Sequence, residues 1–230
     1  MYIKVNGIEL YYEKTGQGRP IILLHGNGES HSIFDVLIKR LSADYTVYAV
    51  DSRDHGKSSK VRLLDYGDMM EDVAGFIRET GIESPILYGF SDGGIIGLLL
   101  AIKYPKLLSK LIISGANTRP DGIKDYFIVI VKILYFFSRN RKYKLMLTQP
   151  NITDAELNNI VTPTLVLAGS RDLVKEEHTK NIAGNIPGSV LKVLDGENHS
   201  SYVIHSGKLY DLINLYLIEG GEVCGSNWTH

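Results

Sequence analysis

A single cysteine, Cys224, stands in 230 residues, so no intrachain disulfide can form and the fold must be held by its core. That usage fits a reducing compartment. Residues 1–7 show no apolar h-region or small-residue cleavage site, so the expected location is cytoplasmic. No apolar run reaches the roughly 20 residues that a bilayer span needs. The longest, residues 126–137, is interrupted by Lys132. Charge of one sign is not in excess either: 25 Lys+Arg stand against 26 Asp+Glu, a net charge of -1. This excludes the basic surface by which a nucleic-acid binder displaces counterions. H-E-x-x-H, C-x-x-C and EF-hand spacings are missing, as is a Walker motif. Gly26-Asn27-Gly28 does not complete G-x-G-x-x-G, because His31 occupies the last position. No metal and no cofactor are therefore expected.

What is present is an alternation of short β-branched runs with segments of helical period. Asn6-Gly7 separates two such runs and reads as a hairpin turn. Continuous apolar runs at 20–24, 45–50, 85–90, 108–114, 164–168 and 190–194 read as strands, most of them buried on both faces. Between them, helical spacing recurs at Ile33 to Leu41, at Met69 to Ile77 and over residues 92–104 and 175–186. A closing helix is expected over residues 201–218. Repeated β–α alternation implies a mostly parallel sheet with helices on both faces. The core is expected from residues 1–117 and 162–220 as one domain, and residues 221–230 as a loose tail.

The alternation fails between about 117 and 161. An insertion there, on the edge of a parallel sheet that binds ligands, suits a short helical cap over residues 118–161. It holds a helix at 123–137 that is apolar nearly all round, a basic patch at Arg139-Asn140-Arg141-Lys142 and a short helix near 154–159. An apolar helix must be covered by something. Packing into the core, lining a substrate pocket as a lid, and dimer or membrane-surface contact are the placements open to it.

Gly89-Phe90-Ser91-Asp92-Gly93 is a G-x-S-x-G sequence joining an expected strand to an expected helix start. That is the strand–turn–helix setting of a nucleophile elbow, where side chains at 89 or 93 would collide with the neighbouring strand and helix. A serine hydroxyl needs a base. Of seven histidines, only His199 lies in a loop after a late strand, at the carboxyl edge of the sheet. His178 is expected on an exposed helix, His205 inside the closing helix and His230 at the loose end. Asp172 follows the strand at 164–168 on the same edge and suits the acid that orients the imidazole. The chain order Ser91, Asp172, His199 is that of α/β hydrolases. The oxyanion donors are expected to be the backbone N–H groups of Asp92 and Asn27, with His25 holding the Asn27 loop by a hydrogen bond.

The loop His25-Gly26-Asn27-Gly28, the turn Asp51 to Ser58, the elbow, Gly169 to Asp172 and Gly196 to His199 together resemble the serial signatures of the α/β-hydrolase superfamily. The resemblance runs from about residue 10 to 218 and implies an eight-stranded, mostly parallel sheet. In the turn, Asp54 replaces the family's usual glycine. The elbow, followed by Ser114-Gly115-Ala116-Asn117, is similar to the biphenyl-hydrolase-like enzymes, valacyclovir hydrolase among them. That likeness implies that Asp92 reads a substrate's α-amino group. A helix N-terminus that simply favours a carboxylate is the other reading.

The expected function is hydrolysis of a small carboxylic ester, thioester or amide through an acyl-enzyme on Ser91. Substrate contacts are expected from Asn27, Phe90, Asp92, Tyr126 and Ile130. Other α/β-hydrolase reactions on the same triad (aminopeptidase, perhydrolase, C–C hydrolase or lyase), or a low-turnover receptor on this scaffold, are the alternatives. Beyond a small-molecule substrate, a homodimer is the one protein partner considered.

Overall fold

Asn6 and Gly7 both take positive φ, 46° and 75°, and turn β1 (Tyr2–Val5) back antiparallel on β2 (Ile8–Thr15), with Val5 opposite Ile8. Such a turn matches the twist of the strands it joins. The computed structural model describes residues 1–218. The expected tail at 221–230, with Cys224 and His230, lies outside the described residues.

Six further strands complete the sheet: β3 (Arg19–Leu24), β4 (Tyr45–Val50), β5 (Ile86–Phe90), β6 (Lys110–Ser114), β7 (Thr164–Arg171) and β8 (Val190–Asn198). The eight strands run in the order β1-β2-β4-β3-β5-β6-β7-β8. β2 is antiparallel to β4, and every pairing from β4 through β3 to β8 is parallel. β5 and β6 are buried along their whole length, as central strands covered on both faces must be, Lys110 and Ser114 of β6 included.

Helices cover both faces. α2 (Tyr66–Thr80) and α3 (Asp92–Lys103) pack on one through Met69, Val73, Phe76, Ile96 and Leu100. α1 (Asp35–Leu41) and α8 (Lys208–Ile218) pack on the other through Leu37, Leu41, Leu209 and Ile213. α2 ends where the sequence says it should, at Gly81 in the left-handed conformation. The closing helix is shorter than expected. Residues 201–205 form turns, so His205, with φ 50°, precedes the helix and does not lie within it.

Between β6 and β7, where the alternation failed, stand α4 (Asp125–Ser138), α5 (Arg141–Thr148) and α6 (Asp154–Asn158). The basic patch starts a helix: Asn140 caps α5 by accepting from Lys142 N–H, and Arg141 and Lys142 form its first turn. α4 does not join the core. Val131 is its one buried residue, and Phe137 at its end is 81% exposed. α5 is tied to the body of the protein by Arg141, whose guanidinium makes two 2.7 Å bonds to Asp54. Asp54 takes φ 65°, the conformation a glycine would adopt freely, and spends its side chain on this link.

Candidate active site

β5 delivers the chain to Ser91 from below, and α3 starts at the next residue. Ser91 sits at φ 52°, ψ -112°, a strained position for a residue with a side chain. Its backbone N–H is fixed by the Ser114 carbonyl at 2.8 Å. Two glycines make the elbow sterically feasible. A Cβ on Gly89 would lie 2.2 Å from the Gly93 carbonyl oxygen, and one on Gly93 would lie 2.3 Å from that of Leu24. Both obstacles are backbone, one in α3 and one at the end of β3.

Asp172 follows β7 and His199 follows β8, so adjacent parallel strands bring both to the edge where Ser91 stands. His199 Nδ1 lies 2.6 Å from Asp172 Oδ1, and its Nε2 lies 3.2 Å from Ser91 Oγ. Nδ1 bonded to a carboxylate carries the proton, which leaves Nε2 free to accept from the serine. Asp172 is 3% exposed. Burial alone would raise its pKa. The His199 bond, with the backbone N–H groups of Val174 and Gly169, outweighs it and holds the carboxyl below its usual value. Gly115, at φ 60°, makes the room: a Cβ there would meet His199 Cε1 at 2.7 Å. The Phe90 ring packs 5.0 Å from the imidazole.

The loop after β3 passes beside the serine, close enough that a Cβ on Gly26 would lie 3.1 Å from Ser91 Cβ. Its shape is fixed from behind. His25 is buried, with Nδ1 2.8 Å from the Gly26 carbonyl and Nε2 accepting from Ser52 N–H. Burial lowers its pKa to about 4, so it is neutral and structural. In front, Glu29 accepts from Gly26 N–H at 2.9 Å. Asp92, as the first residue of α3, has a backbone N–H with no carbonyl one helical turn earlier to bond.

The Asp92 carboxylate is 4% exposed and is held by two neutral donors, Tyr66 Oη at 2.7 Å and Asn27 Nδ2 at 2.9 Å. No cation lies within ion-pair distance of it among the described residues. Burial is the dominant influence and raises its pKa to about 6.

Two spaces meet at Ser91 and His199. The inner one, about 30 Å³, is lined by Asp92, Tyr66, Asn117, Phe127 and Gln149. The outer cleft, about 360 Å³ and largely apolar, runs between Asn27, Glu29 and Phe90 on one side and Phe127, Ile130 and Leu134 of α4 on the other.

The structure thus gathers Ser91, Asp172, His199, Asn27, Asp92, Phe90 and Ile130 at one place. Tyr126 is not among them. It is 58% exposed on the outer side of α4, and its neighbour Phe127 lines both spaces instead. The apolar run 126–137 carries no period that distinguishes inward from outward positions, so the inner face was not legible. His178 is also misplaced by the sequence reading. It is buried, and its Nε2 accepts from Thr118 N–H at 3.0 Å. Tyr66, Gln149 and Glu29 escaped sequence reading because no motif marks them.

Comparison with known proteins finds hydrolases among those similar to this chain. Over 94% of this chain and 85% of its own length, serine hydrolase BPHL of Homo sapiens is 29% identical. A putative esterase/lipase of Haemophilus influenzae is 24% identical over 78% of this chain and 76% of its own. Among solved structures, a thermophilic esterase from Thermogutta terrifontis superposes with a TM-score of 0.77 at 22% identity, covering 95% of this chain and 96% of that one. A family model described as the alpha/beta hydrolase fold matches residues 19–143, more than half of the sequence, and with it the chain belongs to the α/β-hydrolase family.

Proposed function

We propose that the chain is a serine hydrolase that cleaves a small carboxylic ester, or a related thioester or amide, through an acyl-enzyme on Ser91. The observation that carries this reading is the continuous path from Ser91 Oγ through His199 to Asp172, at 3.2 and 2.6 Å. Ser91 Oγ attacks the carbonyl carbon as His199 Nε2 takes its proton. Asp172 stabilises the imidazolium and keeps Nε2 aimed at the serine. The oxyanion would be held by the backbone N–H groups of Asn27 and Asp92, each contributing about 3 kcal/mol to the lowering of the barrier. Nε2 then protonates the leaving oxygen, sulfur or nitrogen. A water that gives its proton to the same nitrogen releases the acid and restores Ser91.

The two spaces divide the substrate. The inner one has room for one or two water-sized groups. Its wall carries Asp92, a carboxylate ionised at neutral pH and facing neutral donors only. An α-ammonium group fits both the size and the charge, so esters or amides of small amino acids are the favoured substrates. The apolar cleft under α4, whose segment would act as a cap, takes the larger portion.

Intact-mass labelling with a fluorophosphonate tests the nucleophile. A single adduct is expected on the native protein and none on Ser91→Ala or His199→Ala. Folded native protein that takes no adduct would remove the reading. An α-amino ester series against its des-amino counterparts, run alongside, tests Asp92.

A further inference from the structure

Half of the exposed large apolar side chains among the described residues lie on α4, most of them on its outward side. Tyr126, Val129, Ile130, Ile133, Phe136 and Phe137 recur at i, i+3, i+4, i+7, i+10 and i+11 and share one face. All six are exposed, from 46% at Ile130 to 81% at Phe137. No charge interrupts the stripe. Lys132 and Asp125 stand at its margin. Single exposed apolar side chains are ordinary, but a continuous stripe of this length marks a surface meant to be covered.

The surroundings indicate by what. Immediately past the C-terminal end of α4, Lys60, Arg62, Arg139, Arg141 and Lys142 line one open cleft, with Asp54 as its single acidic member. Asp54 is already bound by Arg141. The aromatic end of the stripe is therefore also the cationic end, the combination that seats a helix in the boundary between headgroups and acyl chains of an anionic bilayer. A second copy fits less well. In an antiparallel pairing of two stripes, the basic end would face Asp125, which already pairs with Lys175 at 2.9 Å. The stripe is also continuous with the active site, because Ile130 belongs to it and lines the outer cleft beside Ser91.

We propose that the outer face of α4 docks on an anionic lipid surface, with Phe136 and Phe137 buried among the acyl chains and the basic cleft beside them on the headgroup phosphates. Docking in this pose brings the Ile130 edge of the outer cleft beside the lipid.

Vesicle flotation of the full chain tests it. Wild type should float with equimolar phosphatidylcholine and phosphatidylglycerol, and much less with phosphatidylcholine alone. Phe136→Ser with Phe137→Ser should weaken binding roughly tenfold or more, given what burial of two aromatic rings contributes. Arg62→Glu with Arg139→Glu should abolish the preference for the anionic vesicles. None of these residues touches Ser91 or His199, so hydrolysis of a water-soluble ester should be unchanged and report correct folding. Ser91→Ala protein should float like wild type, which separates this proposal from the reading of the nucleophile. Wild type that floats with neither vesicle, or equally with both, overturns the proposal. So does a dimer in light scattering that the phenylalanine pair dissociates, since the stripe would then be covered by a second copy.

Discussion

The side-chain amide of Asn27 donates a 2.9 Å hydrogen bond to Oδ2 of Asp92, joining the loop after β3 to the first turn of α3 beside Ser91. Tyr66 holds the other oxygen, so a buried carboxylate is kept at the site by two neutral donors. Burying a charge without a counter-charge costs stability unless something else requires it. That makes Asp92 the residue whose titration should be visible in both binding and stability.

Asp92→Asn should lose the preference for α-amino esters while keeping hydrolysis of des-amino esters within about an order of magnitude. In wild type the same preference should fall as pH drops through about 6, where the carboxyl protonates. The sign for stability is opposite to that of an ion-paired acid. A raised pKa means the folded state binds more protons than the unfolded one between about 4 and 6, so stability falls as pH rises through that window. Melting Asp92→Asn beside wild type at pH 4 and pH 7.5 should show the variant gaining on wild type at the higher pH, by up to about 3 kcal/mol. A pH-independent difference would show that Asp92 does not titrate in this range.

Asp172→Asn should leave the fold intact but lower kcat/KM by about 10⁴, because an amide at this place can no longer fix the imidazole in the tautomer that presents a bare Nε2. Steady-state kinetics with matched circular dichroism checks it. Loss below tenfold would mean another group orients His199.

The elbow predicts a contrast between two glycines. Gly93→Ala places a methyl 2.3 Å from the Leu24 carbonyl oxygen, so α3 must shift and carry Ser91 with it. Loss of labelling and a fall in stability of at least about 3 kcal/mol are expected. Gly184→Ala, inside α7 (Glu176–Asn185) with nothing within 4 Å of the new methyl, should instead stabilise by about 0.5–1 kcal/mol. Urea midpoints of the two variants make the comparison.

Behind the Asp51–Ser58 turn, Arg53 bonds Asp72 at 2.6 and 2.7 Å and Asp68 at 2.7 Å. Arg53 and Asp72 are both buried. Asp72→Ala leaves the buried guanidinium with the exposed Asp68 as its acidic partner and should cost about 3–5 kcal/mol, while Asp72→Ala with Arg53→Met should recover much of that. Equal destabilisation in single and double variants would show that packing, not charge, is what Asp72 supplies.

The sheet, its order of elements and the meeting of Ser91, Asp172 and His199 were legible along the chain, because each depends on local pattern. Buried parallel strands need continuous β-branched runs, the elbow needs its two glycines, and residues that end neighbouring parallel strands necessarily share one edge. The turn at Asn6-Gly7 and the stop at Gly81 were readable for the same reason, since only a few residues accept positive φ.

What tertiary structure alone decided lies where a residue's role depends on a distant partner. Tyr66 and Asn27 on Asp92, Arg141 on Asp54 and Thr118 on His178 join segments between 26 and 87 positions apart, and no short pattern announces such pairs. The apolar helix was the hardest case. With hydrophobic residues on nearly every side, its sequence did not distinguish the face of α4 that packs from the face that stays exposed. Which face looks at Ser91, through Phe127 and Leu134, and which looks outward, through Tyr126 and Phe137, with Ile130 on the boundary, was set by how the helix packs across the mouth of the sheet.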